Sequence, residues 1–228
     1  MNTPIISVNA VKKSVMSQQE TLLILNEVTF DVNSGETVAI VGTSGAGKST
    51  LMTLLAGLSV PSSGNISLFG QNISQLDDEA RASIRRDNIG FVFQSFLLVP
   101  TLTALENVTL PCLINGKEED VVRATELLTS LGLGHRLNHT PGQLSGGEQQ
   151  RVAIARAFMT SPKILFADEP TGNLDQETAK VIIEQLFSLN KDHGTTLVLV
   201  THDENLAKRC NRTLRISAGQ LVEDMINA

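Results

Sequence analysis

Two groups of residues in this chain have the types and spacing needed to act on a phosphate chain. The first is Gly42-Thr43-Ser44-Gly45-Ala46-Gly47-Lys48-Ser49, followed by Thr50, and it comes directly after an apolar, β-branched run. Glycines let consecutive backbone N–H groups curl around an anion, the lysine reaches the β- and γ-phosphates, and the serine hydroxyl is a Mg²⁺ ligand. The pattern therefore predicts a nucleotide-binding loop between a strand and a helix.

The second group is a pair of carboxylates, Asp168 and Glu169, at the end of the apolar run Ile164-Leu165-Phe166-Ala167. A carboxylate that ends a buried strand beside a phosphate loop holds Mg²⁺ from the opposite side. A further carboxylate can accept a proton from the water that attacks the γ-phosphate. Taken alone, the pair is better explained as a strand end before a turn at Pro170.

A third segment, Leu144-Ser145-Gly146-Gly147-Glu148-Gln149-Gln150, decides between these two interpretations. With this segment, called the signature below, the sequence resembles the ATP-binding cassette (ABC) ATPases. The other landmarks of that family occur in order: Gln94 after an apolar run, Gly172-Asn173-Leu174-Asp175 after the carboxylates, and His202 after a second apolar run. The resemblance covers nearly the whole chain and favours the chemical role of Asp168 and Glu169.

The resemblance also implies a role for each matching residue. Two copies would pack head to tail, so that each ATP lies between the phosphate loop of one copy and Ser145, Gly146 and Gly147 of the other. The implied catalytic residues are Glu169, His202, Gln94 and Lys48. The implied Mg²⁺ ligands are Ser49, Gln94 and Asp168, and the implied nucleotide contacts are residues 42–50, the three signature residues and Asp175.

Residues 91–108 resemble the lipoprotein-releasing and macrolide-exporter branch of the family, the group of LolD, MacB and FtsE. This implies a separate inner-membrane permease with a large periplasmic domain, and a peripheral place for this chain at the cytoplasmic face. The cargo is not readable, because substrate contacts belong to the permease.

Within the segment 91–108, Phe96, Leu97, Leu98 and Val99 form an apolar run. On one helix they would spread over most of the circumference, so one or two should meet solvent or the permease; the alternative is that all four are core.

One departure from the family pattern concerns the adenine base. ABC ATPases usually stack an aromatic side chain on the base from a position about 28 residues before the first glycine of the loop. Here that region reads Lys13-Ser14-Val15-Met16, and Trp and Tyr are absent from the whole sequence. Base stacking is expected to be weak or to come from elsewhere, while the phosphate chemistry is unaffected.

The elements that must position these residues follow from hydrophobic periodicity. Apolar runs predict strands over residues 28–32, 37–41, 66–69, 89–93, 164–167 and 197–200, and three- and four-residue spacing predicts helices over 48–56, 121–131 and from Asp175 to about 189. We expect an α/β fold: a P-loop (RecA-like) core with an N-terminal antiparallel β subdomain and an inserted α-helical subdomain. The expected boundaries are 1–94 and 162–228 for the core and 95–161 for the helical part.

Composition narrows the function classes. The 228 residues carry a net charge of -6, and basic residues are adjacent in only three pairs, Lys12-Lys13, Arg85-Arg86 and Lys208-Arg209, which disfavours nucleic acid as a partner. No apolar run approaches the 20 or so residues of a membrane helix, and the N-terminus has the reverse order of a signal peptide, so a cytosolic location is expected. The two cysteines and His135, His139 and His193 match no metal or catalytic pattern.

Three alternatives to a transporter ATPase bear on these expectations. A nucleotide-gated clamp without turnover is disfavoured by the presence of both Glu169 and His202. A soluble regulatory ABC ATPase of translation or DNA repair generally joins two cassettes or inserts a coiled coil, for which 228 residues leave no room. A P-loop kinase or GTPase would lack the signature.

Overall fold

The computed structural model of the protein describes residues 3–17 and 20–227. The chain forms two compact units: a first unit of Met1–Arg85 and Thr196–Ala228, and a second unit of Arg86–Thr195. The expected boundaries of a core and a helical subdomain at residues 95 and 161 are not tested by this division and stay a prediction.

Ten strands and seven helices follow one another along the described residues. The strands are β1 (Ile6–Ser17), β2 (Glu20–Val32), β3 (Thr37–Val41), β4 (Ser63–Leu68), β5 (Gln71–Asn72), β6 (Ile89–Phe93), β7 (Ile164–Asp168), β8 (Thr196–Val200), β9 (Arg212–Ser217) and β10 (Gln220–Ile226). The helices are α1 (Lys48–Leu55), α2 (Asp78–Asn88), α3 (Ala104–Ile114), α4 (Val121–Ser130), α5 (Gly146–Phe158), α6 (Gln176–His193) and α7 (Glu204–Ala207).

The first unit contains an antiparallel sheet and a parallel group of strands. The antiparallel sheet has the order β2-β1-β4-β5. In the parallel group, β3 lies between β8 and β9, and β10 returns antiparallel to β9. Residues Val38–Val41 of β3 are buried, as expected for a strand covered on both faces. The carboxyl ends of β3 and β8 therefore lie side by side.

The second unit combines two parallel strands with four helices. Strands β6 and β7 pair in register from Ile89 opposite Ile164 to Phe93 opposite Asp168. Helix α5 is the most deeply buried of the helices, with eight buried residues, and it packs against α3, α4, α6 and β6. Its Phe158, together with Phe166 of β7, is among the largest fully buried side chains of the chain.

Most of the predicted elements are present, and several others were not anticipated. The predicted strands 37–41 and 89–93 have the observed bounds, and the predicted helices correspond to α1, α4 and α6. Periodicity did not predict four strands and four helices: β1, β5, β9, β10, α2, α3, α5 and α7. In α3 the apolar residues do not keep to one face, and Pro111 lies inside the helix, which obscures the periodicity.

The helix assumed for the apolar run 96–99 was wrong. Gln94 and Ser95 form a turn, and residues 96–99 have no regular structure. Phe96 and Leu97 adopt left-handed conformations, with φ of 60° and 50°, which end any helical path. Leu97 is 56% exposed and the other three residues are half-buried, so the alternative that all four are core is also wrong.

Within the part of the chain that the structure describes, none of the helices combines the length and the apolar character that crossing a bilayer requires.

Candidate nucleotide-binding and catalytic sites

The phosphate loop of the first unit is fixed by close backbone approaches. A Cβ on Gly42 would lie 2.1 Å from the carbonyl oxygen of Ile216, and one on Gly47 would lie 2.8 Å from Cδ2 of Leu25. Gly47 also has a φ of +104°, which a residue with a Cβ rarely adopts. Only glycine therefore fits at these two positions between β3 and α1.

The interior of this loop carries a positive charge. The ammonium of Lys48 donates hydrogen bonds to the carbonyl oxygens of Gly42 (2.9 Å) and Thr43 (3.0 Å), so it lies within the curve of the loop. Thr43, Ser44, Gly45 and Ser49 are exposed, and the first turn of α1 contains no acidic residue. The start of a helix with a lysine and exposed N–H groups suits an anion such as a phosphate chain.

His202 lies at the same edge of the first unit as the phosphate loop. The backbone N–H of Thr201 donates to the carbonyl of Ile40, so the residue after Thr201 follows the end of β8 beside β3. The His202 side chain is exposed. Arg215 of β9 forms an ion pair with Glu204 at 2.8 Å, which holds α7, the helix that follows His202, against β9. The structure thus brings His202 and the loop to one edge.

The second unit brings Gln94, Asp168 and Glu169 together. Because Phe93 and Asp168 are opposite each other in the parallel pair β6–β7, Gln94 and Glu169 leave the same edge of the two strands. The Nε2 of Gln94 donates to Oδ1 of Asn173 at 3.0 Å, and Nδ2 of Asn173 donates to the carbonyl of Gln94 at 3.0 Å. This reciprocal pair ties the segment after β6 to the segment after β7.

The signature residues form the start of α5. Ser145 is its N-cap and accepts from the N–H of Glu148, whose carboxylate accepts from the N–H of Ser145 in return. The N–H of Ser145 and an ion pair with Arg136 (3.0 Å) hold the pKa of Glu148 below its ordinary value. Ser145 is exposed, so the positive end of α5 is accessible to an anion.

Segment 172–175 packs against the signature. A Cβ on Gly147 would lie 2.4 Å from Cγ2 of Thr178, and one on Gly146 would lie 3.4 Å from Cδ2 of Leu174. Asp175 caps α6 by accepting from the N–H groups of Glu177 and Thr178, and its pKa is lowered chiefly by the Thr178 hydroxyl and N–H. Asp175 therefore has a structural function, and its contact with nucleotide stays a prediction.

Residues 13–16, where ABC ATPases usually carry an aromatic side chain, contain none, and Val15 and Met16 are exposed. Lys13 donates to the carbonyl of Val60 (2.7 Å), and Ser14 hydrogen-bonds Ser62 (3.2 Å), so both are engaged with the following segment. Val15 lies opposite Leu22 in the β1–β2 pair, and the two are 43% and 58% exposed. No aromatic side chain occupies residues 13–16.

The three histidines set aside in the sequence have ordinary surroundings. His135 is exposed, His139 lies 3.1 Å from a guanidinium nitrogen of Arg136, and the ring of His193 packs on Phe158 at 5.3 Å. Within the described residues there is no group of three or more His, Cys, Asp or Glu side chains that could hold a metal ion.

Two residues that shape the site region were missed in the sequence. The guanidinium of Arg156 donates to the carbonyls of Leu97 (2.6 Å) and Phe96 (2.8 Å), and burial lowers its pKa. The buried Asn107 donates to the carbonyls of Val99, Leu102 and Thr103. Arg156 lies in no motif, and Asn107 was not singled out within the segment 91–108. The readable signal was Thr103 with Glu106, a capping box that fixes the start of α3.

Comparison with known proteins identifies the family. The family model described as "ABC transporter" matches residues 25–172. The chain is 57% identical to the "Uncharacterized ABC transporter ATP-binding protein YbbA" of Escherichia coli (strain K12), covering 96% of this chain and 97% of that one. It is 46% identical to the "Lipoprotein-releasing system ATP-binding protein LolD" of Xanthomonas euvesicatoria pv. vesicatoria (strain 85-10), covering 97% and 91%.

Among solved structures, the dimeric post-hydrolysis state of the ATP-binding cassette MJ0796 bound to ADP and Pi matches with a TM-score of 0.90 and 40% identity, covering 98% of this chain and 99% of that one. The chain therefore belongs to the ABC transporter family as an ATP-binding subunit, and the activity of that family is ATP hydrolysis. The expected α/β, P-loop NTPase class is confirmed.

Proposed function

We propose that this chain is the ATP-hydrolysing subunit that powers a separate inner-membrane permease with a periplasmic domain, from the cytoplasmic face of the membrane. The observation that carries the hydrolytic part is the register of β6 and β7, which sets Gln94 and Glu169 at one edge next to Asp168. The likeness to LolD, the ATP-binding protein of a lipoprotein-releasing system, supports a partner of the lipoprotein-releasing type.

Each side chain contributes a separate action on ATP. Lys48 and the N–H groups of residues 42–50 bind the β- and γ-phosphates. Glu169 accepts the proton of the attacking water as the water's oxygen bonds to the γ-phosphorus and the bond to ADP breaks. His202 contacts the γ-phosphate, and Gln94 positions the water.

Mg²⁺ fits the residues that the resemblance assigns to it. Ser49 offers an exposed hydroxyl, and Gln94 and Asp168 offer amide and carboxylate oxygens at one strand edge. Mg²⁺ prefers oxygen ligands. It usually takes only a few of them from protein side chains, because water molecules and substrate phosphates fill the remaining positions. The ion would neutralise charge on the phosphate oxygens, and the protein side chains supply orientation and proton transfer.

The proposal includes a dimer of this chain around two ATP molecules. The exposed, positively polarised start of α5 at Ser145 suits a γ-phosphate held by a second copy. Glu169→Gln keeps the shape of the site but removes the proton acceptor, so the variant should accumulate as an ATP-bound dimer on a sizing column. Lys48→Ala should bind ATP poorly and stay monomeric. If Glu169→Gln is monomeric at saturating ATP, the proposed ATP-bound dimer is wrong.

The permease contact is proposed at the apolar run Phe96–Val99, which follows Gln94. Leu97 is the most exposed of the four, and Arg156 holds the carbonyls of Phe96 and Leu97. Leu97→Asp should lower co-purification with the permease and bring the ratio of stimulated to basal hydrolysis toward one.

The matched control for this contact is Ile114→Asp. Ile114 is 70% exposed at the end of α3, and the substitution makes the same apolar-to-charged change outside the run Phe96–Val99. The Ile114→Asp variant should therefore keep co-purification and stimulation intact. Unchanged co-purification of the Leu97→Asp variant would place the docking surface elsewhere.

A further inference from the structure

A buried glutamine on the signature helix reaches the residue after the proposed base. Gln150 is fully buried, and its Nε2 donates to the carbonyl oxygen of Pro170 at 2.6 Å. Pro170 directly follows Glu169 and has no backbone N–H, so its carbonyl is the only backbone group there that a side chain can hold by hydrogen bonding.

The backbone at Glu169 needs such support. Its φ is +45°, a left-handed conformation that is unfavourable for a residue with a Cβ and persists where surrounding contacts hold it. Within the turn itself, the N–H of Gly172 donates to the carbonyl of Glu169 at 3.0 Å. The bond from Gln150 to Pro170 is a second restraint, and it comes from a different element.

The same glutamine is poorly suited to a purely stabilising function. Within residues 3–17 and 20–227, its buried Oε1 has no hydrogen-bond partner. A buried polar atom left unpaired is unfavourable, and an apolar side chain of similar size would avoid that cost. What the Gln150 amide contributes, and an apolar side chain could not, is therefore the directed hydrogen bond to the carbonyl of Pro170.

We infer that Gln150 is a positioning residue for Glu169, linking the signature helix to the base in the same subunit. This rests on the proposed role of Glu169. Gln150 lies five residues after Ser145 on α5, about 7.5 Å along the helix axis, so a displacement of the signature end is carried to Pro170. A signature seated on the partner's ATP would then set the orientation of the base that acts on the subunit's own ATP.

The test replaces the amide while keeping the length of the side chain. Gln150→Met should lower kcat by about 10- to 100-fold, because a displacement of about 1 Å at a catalytic group has effects of that order. The KM for ATP and the ATP-dependent dimer of the Glu169→Gln background should be retained within about threefold, since the phosphate loop is untouched. Gln150→Glu, which sets an acceptor against the Pro170 carbonyl, should lose at least as much.

Gln185→Met is the matched control. Gln185 of α6 also donates from a partly buried amide to a backbone carbonyl, and its Oε1 also has no partner in the described structure. The carbonyl that it holds is that of Leu131, at the end of α4 and not in the turn after Glu169. This variant should keep kcat within about twofold. A fall in kcat equal to that of Gln150→Met would reduce Gln150 to a structural residue.

A double-variant cycle distinguishes positioning from stability. If Gln150 acts through Glu169, adding Gln150→Met to Glu169→Gln should leave single-turnover hydrolysis within about twofold of Glu169→Gln alone. If the rate of the double variant falls by the product of the two single-variant losses, the inference is overturned. A normal kcat in Gln150→Met while Glu169→Gln is inactive would also overturn it. Normal turnover in Glu169→Gln would instead overturn the proposed function.

Discussion

The phosphate loop of the first unit and the strand edge of the second unit are held in place by different means. At the loop, the main restraint is backbone packed on backbone, because Gly42 faces the carbonyl of Ile216 with no space for a Cβ, and the ammonium of Lys48 adds hydrogen bonds from within the loop. At the strand edge, the restraint is side chain to backbone, as in the bonds of Gln150 to Pro170 and Asn173 to Gln94. The loop is therefore built as a rigid holder, whereas the catalytic edge depends on side chains that a moving element can displace.

The largest effect that separates the two regions is expected from glycine substitution. In Gly42→Ala the new Cβ meets the backbone of β9, which cannot move without disturbing the strand, so unfolding free energy should fall by about 3 kcal/mol or more and ATP binding should be lost. In Gly172→Ala the new Cβ meets Nε2 of Gln94 at 2.6 Å, the far end of a flexible side chain.

Chemical denaturation of both variants checks this contrast. Gly172→Ala should cost less than about 1 kcal/mol while lowering hydrolysis, because Gln94 must shift. Equal stability losses at the two glycines would break the distinction between a backbone-fixed loop and a side-chain-fixed edge.

A second effect concerns the guanidinium that holds the apolar run. Arg156→Met removes hydrogen bonds to the Phe96 and Leu97 carbonyls and should lower unfolding free energy by about 1 to 3 kcal/mol. It should also reduce stimulation by the permease, because the left-handed residues of the run lose their restraint. Arg86→Met, at an exposed pair with Asp87, should change stability by less than about 0.5 kcal/mol. Full stimulation in Arg156→Met would show that the run keeps its shape unaided.

A third effect tests the missing aromatic. An aromatic side chain under a base contributes about 1 to 3 kcal/mol, so Val15→Tyr should tighten ATP binding by up to about 100-fold, and GTP should compete well with ATP in the natural protein. Met16→Tyr is the control, since neighbouring residues of a strand point to opposite faces. A natural preference for ATP over GTP above about 100-fold would show that another contact reads the base.

The smallest expected effect is the acid response of the signature cap. Because the folded-state pKa of Glu148 is lowered by the Ser145 N–H and Arg136, its contribution to stability is complete at neutral pH and is lost as pH falls through that lowered pKa. Glu148→Gln keeps an acceptor for the Ser145 N–H but cannot titrate. Thermal melts from pH 7 to pH 3 should therefore show a slightly shallower acid decline for the variant; an identical decline would remove Glu148 from the acid response.

The contrast between the regions also explains what the sequence could predict. The phosphate loop was readable because glycine spacing encodes backbone geometry directly, and the β6 and β7 strands were readable as short apolar runs. The left-handed backbone at Phe96 and Leu97 was not readable, because four apolar residues in a row carry no period, and the hydrogen bonds from Arg156 that hold it span 59 and 60 positions. Gln150 was visible in the signature, but its bond to Pro170 depends on how α5 packs in the second unit.

The direct test of the account is single-turnover hydrolysis of bound ATP by Glu169→Gln, measured beside ATP affinity in the same preparation. Because the rigid loop binds ATP and the strand edge supplies the proton acceptor, ATP affinity should stay within about threefold while the hydrolysis rate falls by about 10² to 10⁴. A normal rate, or a loss of affinity that matches the loss of rate, would contradict it.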